Sequence, residues 1–194
     1  VAGRKVKLLI KDDQQSPEVA RRAVRDLIEQ GVVAIVGPMT SAMAIAVVPI
    51  ANEAKVLLMS PTATTDDLTG LDDYFFRLNT SARDNASRIA RYHVGQNATR
   101  RLAATYDLRN KSYTENWLDS FRATYVQGGG EVVKVIGFES GGETTFLQLA
   151  QDLLAAPVDG VLIVANSVDT ALLCQQIRKL GSRVPIISSE WAAT

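Results

Sequence analysis

The chain is 194 residues long and 46% hydrophobic, which is enough to bury a sizeable core and falls between one domain and two. Its 21 lysines and arginines balance its 21 aspartates and glutamates, so net charge does not favour nucleic acid or an anionic membrane as a partner. A single cysteine, Cys174, excludes an internal disulfide, and one cysteine with one histidine cannot form a His/Cys zinc site.

The first part of the chain predicts four strands separated by helical segments. Ser16, Pro17 and Glu18 are typical of a helix start, with a hydroxyl cap, a proline at the first helical position and an acid in the first turn. Gly31 ends this helix, and the run VVAIVG that follows is apolar throughout, which is typical of a strand in a sheet covered on both faces. The predicted strands are 5–13, 32–37, 56–60 and 74–78, and a helix over about 41–54 contains Pro49.

The second part repeats the alternation of strands and helices. Helix 114–126 places Trp117, Leu118, Phe121 and Tyr125 on one face. The predicted strands are 101–107, 131–138, 160–166 and 184–188, and the other predicted helices are 84–94, 145–156 and 168–180. This order predicts parallel sheets flanked by helices, an α/β fold, and the strands are too many for one compact sheet. We therefore predict two lobes, 1–82 and 83–194, separated near the polar stretch 79–85.

The chain has no apolar run of membrane-spanning length, and its first residues do not resemble a signal peptide. It enters a predicted strand at once, so we expect it to begin inside a longer protein. Cys174 lies in the apolar pattern of a predicted helix, where we expect a small buried side chain rather than a reactive thiol.

Hydroxyl side chains follow two predicted strands of the first lobe. Ser41 comes after strand 32–37 and Thr64 after strand 56–60, and ligands of open parallel sheets bind beyond the carboxyl ends of the strands. Each loop opens a helix or helix-like turn, whose free N–H groups and positive dipole end favour an anion. A carboxylate site is one interpretation, and simple capping of each helix by its own hydroxyl is the other.

In the second lobe, three polar residues stand at the same edge. Tyr113 follows strand 101–107, Asn166 ends strand 160–166, and Glu190 lies just past strand 184–188. The carboxylate of Glu190 is suited to pairing with a ligand ammonium group, and it is equally compatible with an exposed loop acid. Tyr113 either closes over the apolar part of a ligand or packs on its own helix.

Sequence signatures of enzymes are missing. The chain has no G-x-G-x-x-G, P-loop or G-x-S-x-G motif, no pair of histidines at metal-ligand spacing, and no visible nucleophile–base pair. We therefore predict a protein that is not an enzyme and that carries no cofactor or metal.

The segments GRKVKLLIKDDQQSPEVA and VVAIVGPMTSAMAIAVVPIANEAKVLLMSPTATTDDLT resemble the type I periplasmic binding proteins of the branched-chain amino acid (Leu/Ile/Val-binding) family. The resemblance continues through IRKLG and PIISSEW, so it covers essentially the whole chain. It implies a two-lobed Venus flytrap in which each lobe is a parallel sheet flanked by helices. It also implies a fragment, because family members begin with one more strand and helix and continue beyond the last segment.

The resemblance also implies roles for six residues. Ser41 matches the serine that holds the ligand carboxylate, and Thr62 and Thr64 match loop positions that contact the carboxylate and ammonium ends. In the second lobe, Tyr113 matches a tyrosine that lines the cleft, although a short insertion precedes it, and Glu190 matches the acid that receives the α-ammonium group. Asn166 stands where Leu/Ile/Val binders have an aromatic residue, which allows a more polar ligand.

The resemblance therefore implies an extracytoplasmic solute-binding protein, periplasmic or lipid-anchored, that captures an amino acid or similar small carboxylate for an ABC transporter permease. An alternative is the ligand-sensing domain of a receptor or regulator with the same fold. A lipoprotein signal before residue 1 would favour transport, and a membrane span or output domain after residue 194 would favour sensing.

Overall fold

The computed structural model describes residues 3, 5–96, 99–143 and 145–193. It divides into two compact units, Val1–Asn79 and Thr80–Thr194. This division falls a few residues before the break after residue 82 that the sequence predicts. In the described part of the chain, no helix combines the length and the apolar character needed to cross a membrane.

The first unit is a three-stranded parallel sheet with two helices. Its elements are α1 (Pro17–Glu29), β1 (Ala34–Val36), α2 (Ser41–Ala54), β2 (Leu57–Ser60), a 3-10 turn (Asp66–Leu68) and β3 (Phe75–Arg77). The strands pair in the order β1-β2-β3, all parallel. The start of α1 confirms the sequence pattern, because the Ser16 hydroxyl accepts from the N–H of Val19 and Pro17 is the first helical residue.

The predicted strand over residues 5–13 is wrong. These residues have no strand structure, and the apolar side chains of Val6, Leu8 and Ile10 are 70%, 79% and 87% exposed. A strand exists only where a neighbouring strand satisfies its N–H and C=O groups, and none of the described residues pairs with this segment. Local sequence therefore favours an extended conformation here but does not supply the pairing.

The prediction that strand 32–37 is covered on both faces is also wrong for the described residues. Ile35, Leu58 and Phe75 align across the sheet and pack under α1 and α2. Side chains alternate between the two faces of a strand, and on the opposite face Val36 and Phe76 are 74% and 55% exposed. The apolar character of this strand therefore reflects a second face that the described residues leave uncovered.

The second unit has helices on both faces of its sheet, as predicted. Its elements are α3 (Ala82–Gln96), β4 (Arg101–Asp107), α4 (Lys111–Gln127), β5 (Glu131–Phe138), α5 (Phe146–Leu154), β6 (Gly160–Val164), α6 (Ser167–Lys179), β7 (Ile186–Ser188) and 3-10 turns at Leu108–Asn110 and Glu190–Ala193. The strands are parallel in the order β5-β4-β6-β7. One core joins the sheet to α3 and α4, the other joins it to α5 and α6, and every residue of β6 is buried between them.

Candidate functional site

The loops after β1 and β2 are joined by hydrogen bonds at the carboxyl edge of the first sheet. The strands are direct neighbours, so the chain leaves both at the same edge. The Ser60 hydroxyl donates to the carbonyl of Pro38 at 2.6 Å, and the exposed Thr62 hydroxyl donates to the carbonyl of Met39. The structure thus brings Ser41, Thr62 and Thr64 together in one polar rim.

Ser41 joins the two loops rather than capping its own helix. Its side-chain oxygen accepts hydrogen bonds from the N–H groups of Thr64 and Thr65, both at 3.2 Å. The side chains of all three residues are buried, with exposures of 2%, 4% and 0%. Capping by Ser41 is therefore excluded, while the hydroxyl proton of Ser41 is still able to donate to an acceptor.

The N-cap residue of α2 does not cap its helix. Thr40 is the N-cap residue by position, but its side chain makes no capping hydrogen bond. The other loop behaves differently, because Thr65 accepts from the N–H of Asp67 and so caps the short 3-10 turn. The positive end of the α2 dipole therefore lies at the rim beside Ser41, where negative charge is favoured.

Tyr113, Asn166 and Glu190 all lie at the carboxyl edge of the second sheet. Tyr113 is in the first turn of α4 after β4, Asn166 is the N-cap of α6 after β6, and Glu190 follows β7. Tyr113 and Glu190 come close together, whereas the side chain of Asn166 is engaged with other partners, described below.

Glu190 is held by two neutral donors. Its Oε2 accepts from the indole Nε1–H of Trp117 at 2.9 Å, and its Oε1 accepts from the Nδ2 amide of Asn85 at 3.2 Å. Within the described residues, no lysine, arginine or histidine forms an ion pair with Glu190. The residue is half-buried, so the interpretation as a fully exposed loop acid does not hold.

Tyr113 is packed behind this carboxylate. It is 5% exposed, and its ring meets that of Trp191 edge to face at 5.6 Å. Burial raises the pKa of its phenol, and the negative charge of Glu190 raises it further. The hydroxyls of Tyr113 and the neighbouring Ser189 are buried, and neither forms a hydrogen bond of regular geometry with a described residue. The Tyr113 phenol nevertheless lies close enough to Ser189 and to the Glu190 carboxylate to interact with both.

Asn166 is a helix cap. Its Oδ1 accepts from the N–H of Asp169 at 3.0 Å, and its Nδ2 donates to the Asp169 carboxylate at 2.8 Å and to the Ser140 hydroxyl at 3.3 Å. These bonds use both amide protons, so a ligand would find only acceptor capacity on this side chain. Its predicted contact with a ligand stays a prediction.

Sequence reasoning missed Asn85, Trp117 and Asp107. Asp107 ends β4 and is 2% exposed, and its Oδ1 accepts from the N–H groups of Arg109 and Ser140 at 3.0 and 3.1 Å. Burial raises its pKa despite these bonds. Its place at the end of a strand was a usable signal, whereas Trp117 looked like a core residue and Asn85 like part of a polar linker.

No group of three or more His, Cys, Asp or Glu side chains in the described ranges is arranged to hold a metal ion.

Comparison with known proteins gives the same family from sequence and from structure. The chain matches the family described as periplasmic binding protein over residues 1–191. It is 30% identical to the Leu/Ile/Val-binding protein BraC3 of Rhizobium johnstonii over 195 residues, which covers 98% of this chain and 51% of that protein.

Two crystal structures share the fold. The leucine-binding protein LivK of Thermotoga maritima has a TM-score of 0.89 at 25% identity, covering 99% of this chain and 54% of its own. The branched-chain amino acid transporter substrate-binding protein LivJ of Streptococcus pneumoniae, in complex with isoleucine, has a TM-score of 0.86 at 26% identity, covering 97% and 53%. The chain therefore spans about half the length of the relatives it matches.

Proposed function

Because the chain belongs to the periplasmic binding protein family, we propose that it is part of an extracytoplasmic solute-binding protein for an ABC importer. In this proposal the protein captures an amino acid, or a similar small carboxylate, in a cleft between its two lobes and delivers it to a membrane permease. It binds the solute and does not transform it. The names of its relatives, which bind leucine, isoleucine or valine, support this class of ligand.

The observation that carries the proposal is the state of Glu190. Its carboxylate stands at the carboxyl edge of a parallel sheet, where ligands bind, and neutral donors orient it without neutralising its charge. A half-buried carboxylate with no cationic partner among the described residues is stabilised by a cation from outside. A ligand ammonium group is the cation that fits an amino acid.

The other pole of the ligand is assigned to the rim of the first unit. The positive end of the α2 dipole, the hydroxyl proton of Ser41 and the hydroxyl of Thr64 favour a carboxylate there. Thr62, in contrast, donates its own proton to the Met39 carbonyl and shapes the rim. A ligand that contacts both rims would stabilise the form of the protein in which both rims reach the ligand. Binding would then shift the equilibrium between open and closed forms, which is the proposed signal to the permease.

The test is ligand binding to the full-length protein, measured by thermal shift and calorimetry. The panel pairs each amino acid with the carboxylic acid that lacks its amine. We expect at least one amino acid to raise the melting temperature and its des-amino partner to bind at least about tenfold more weakly.

Glu190→Gln is the decisive variant, because it keeps the shape and removes the charge. We expect it to lose about tenfold or more in amino acid affinity while its binding of the des-amino acid is unchanged. Glu143→Gln, an exposed acid of the same unit, is the matched control and should bind as the wild type does. The proposal is contradicted if the wild-type protein binds no amino acid, or if it binds the des-amino acids more tightly than the amino acids.

A further inference from the structure

The surroundings of Glu190 carry a second conclusion, which rests on the proposed function. Asn85 and Trp117 each give one hydrogen bond to a different oxygen of the carboxylate. They come from two separate helices, α3 and α4, which pack on the same face of the sheet. Two hydrogen bonds, one from each helix, therefore fix the orientation of the carboxylate plane.

The amide of Asn85 has its own orientation imposed by a cation. Its Oδ1 accepts from the guanidinium of Arg88 at 3.0 Å and from the hydroxyl of Thr80 at 3.1 Å. The oxygen is thus directed at donors, and the NH₂ group is left to face Glu190. Arg88 acts on the carboxylate only through this amide and forms no ion pair with it.

The indole of Trp117 is held by packing. Its side chain is 0% exposed and stacks on Phe121 with ring centres 5.4 Å apart and 12° between the planes. Phe121 in turn stacks on Tyr125 at 5.2 Å. A buried indole N–H requires an acceptor, and Glu190 supplies it from the end of a strand 73 residues later.

We infer that Asn85 and Trp117 are positioning residues that hold the Glu190 carboxylate in one orientation toward the ligand ammonium group. Two neutral donors occupy one lone pair on each oxygen, and the Tyr113 phenol lies near a third, so the carboxylate keeps a lone pair for the ligand. A neutral donor orients the carboxylate without forming an ion pair with it, whereas an arginine or lysine in its place would pair with the carboxylate instead of the ligand ammonium group. The pair thus favours ligands that carry an amine over otherwise identical carboxylates.

The inference is tested in the full-length protein with Trp117→Phe and Asn85→Ala. Trp117→Phe keeps an aromatic ring on Phe121 and removes only the N–H donor and the indole's second ring. We expect each variant to bind the amino acid found by the panel about five- to tenfold more weakly, while affinity for its des-amino acid changes less than about twofold. A purely structural role would lower both affinities together.

Tyr125→Phe is the matched control. It removes one buried donor from the same aromatic stack, the hydroxyl that bonds the Thr99 carbonyl at 2.8 Å. It should lower the melting temperature and leave the preference for the amine-bearing ligand unchanged.

A second readout is independent of ligand binding. The chain has two tryptophans, and the indole N–H resonance that disappears in Trp117→Phe belongs to Trp117. We expect this resonance to move upfield in Glu190→Gln, because a neutral amide oxygen is a weaker acceptor than a carboxylate.

Three results would overturn the inference, and they differ in whether they also contradict the proposed function. An unmoved Trp117 resonance shows that the hydrogen bond is absent. A wild-type protein that binds amino acids, with both variants keeping its preference for the amine, removes the positioning role and leaves the proposed function intact. A wild-type protein that binds no amino acid overturns both proposals.

Discussion

Replacing Ser41 with alanine should destabilise the first unit even when no ligand is present. The Ser41 hydroxyl is the acceptor for two buried backbone donors, the N–H groups of Thr64 and Thr65. A buried donor left without a partner costs about 1–3 kcal/mol, and bonds of 3.2 Å lie toward the weak end of that range. Two such donors lead us to expect a loss of about 2 kcal/mol.

Two measurements report this loss separately from ligand binding. Urea unfolding followed by circular dichroism gives the free energy, and both tryptophans lie in the second unit, so their fluorescence follows that unit alone. Amide hydrogen exchange gives the local effect, and we expect Thr64 and Thr65 to lose protection by more than about tenfold.

Thr62→Val is the matched control for Ser41→Ala. Its hydroxyl also joins the two loops, but the residue is exposed, so water replaces the lost bond and the change should stay within about 0.5 kcal/mol. A loss below that value for Ser41→Ala, with exchange at Thr64 and Thr65 unchanged, would refute the assignment of Ser41 as the bridge between the loops.

Two substitutions and the reactivity of one thiol test other parts of the second unit. Asn166→Ala removes the side-chain cap of α6 and should cost about 1 kcal/mol in urea unfolding. Gly130→Ala should cost about 1–3 kcal/mol in the same assay, because its Cβ would lie 2.3 Å from the ring of Tyr125. Burial raises the pKa of the Cys174 thiol, so less thiolate is present at pH 8 than in free cysteine. Its reaction with a disulfide reagent should therefore be slower than that of free cysteine and should accelerate at a higher pH.

For most elements, the predicted bounds differ from the observed bounds by a few residues. Apart from the strand predicted over residues 5–13, the order of strands and helices followed from local sequence pattern. The aromatic stripe of α4 illustrates why, since Trp117, Phe121 and Tyr125 recur at helical spacing and are all fully buried. The cap of α1 illustrates the same point, because its donor and acceptor are three residues apart. Such features need only neighbours along the chain, so one sequence is enough to reveal them.

The errors arose where a residue's state depends on a distant partner. Residues 5–13 have a strand-like pattern, but no described strand pairs with them. The sequence allows Ser41 to cap its own helix, but its partners lie in another loop, 23 and 24 residues away. Neither the missing strand pairing nor the partners of Ser41 can be predicted from the residues next to them in the sequence.

The sequence by itself determined the alternation of strands and helices, the caps and the polar residues at the carboxyl ends of the strands, because these depend on contacts within a few positions of the chain. Only the tertiary structure decided which partners those polar residues meet. Glu190 meets Trp117 and Asn85 across 73 and 105 residues, and it is the packing of α3 and α4 on one face of the sheet that brings these donors together. A carboxylate in a sequence can lie anywhere, whereas Glu190 is oriented by donors from two helices that pack on the same face of the sheet.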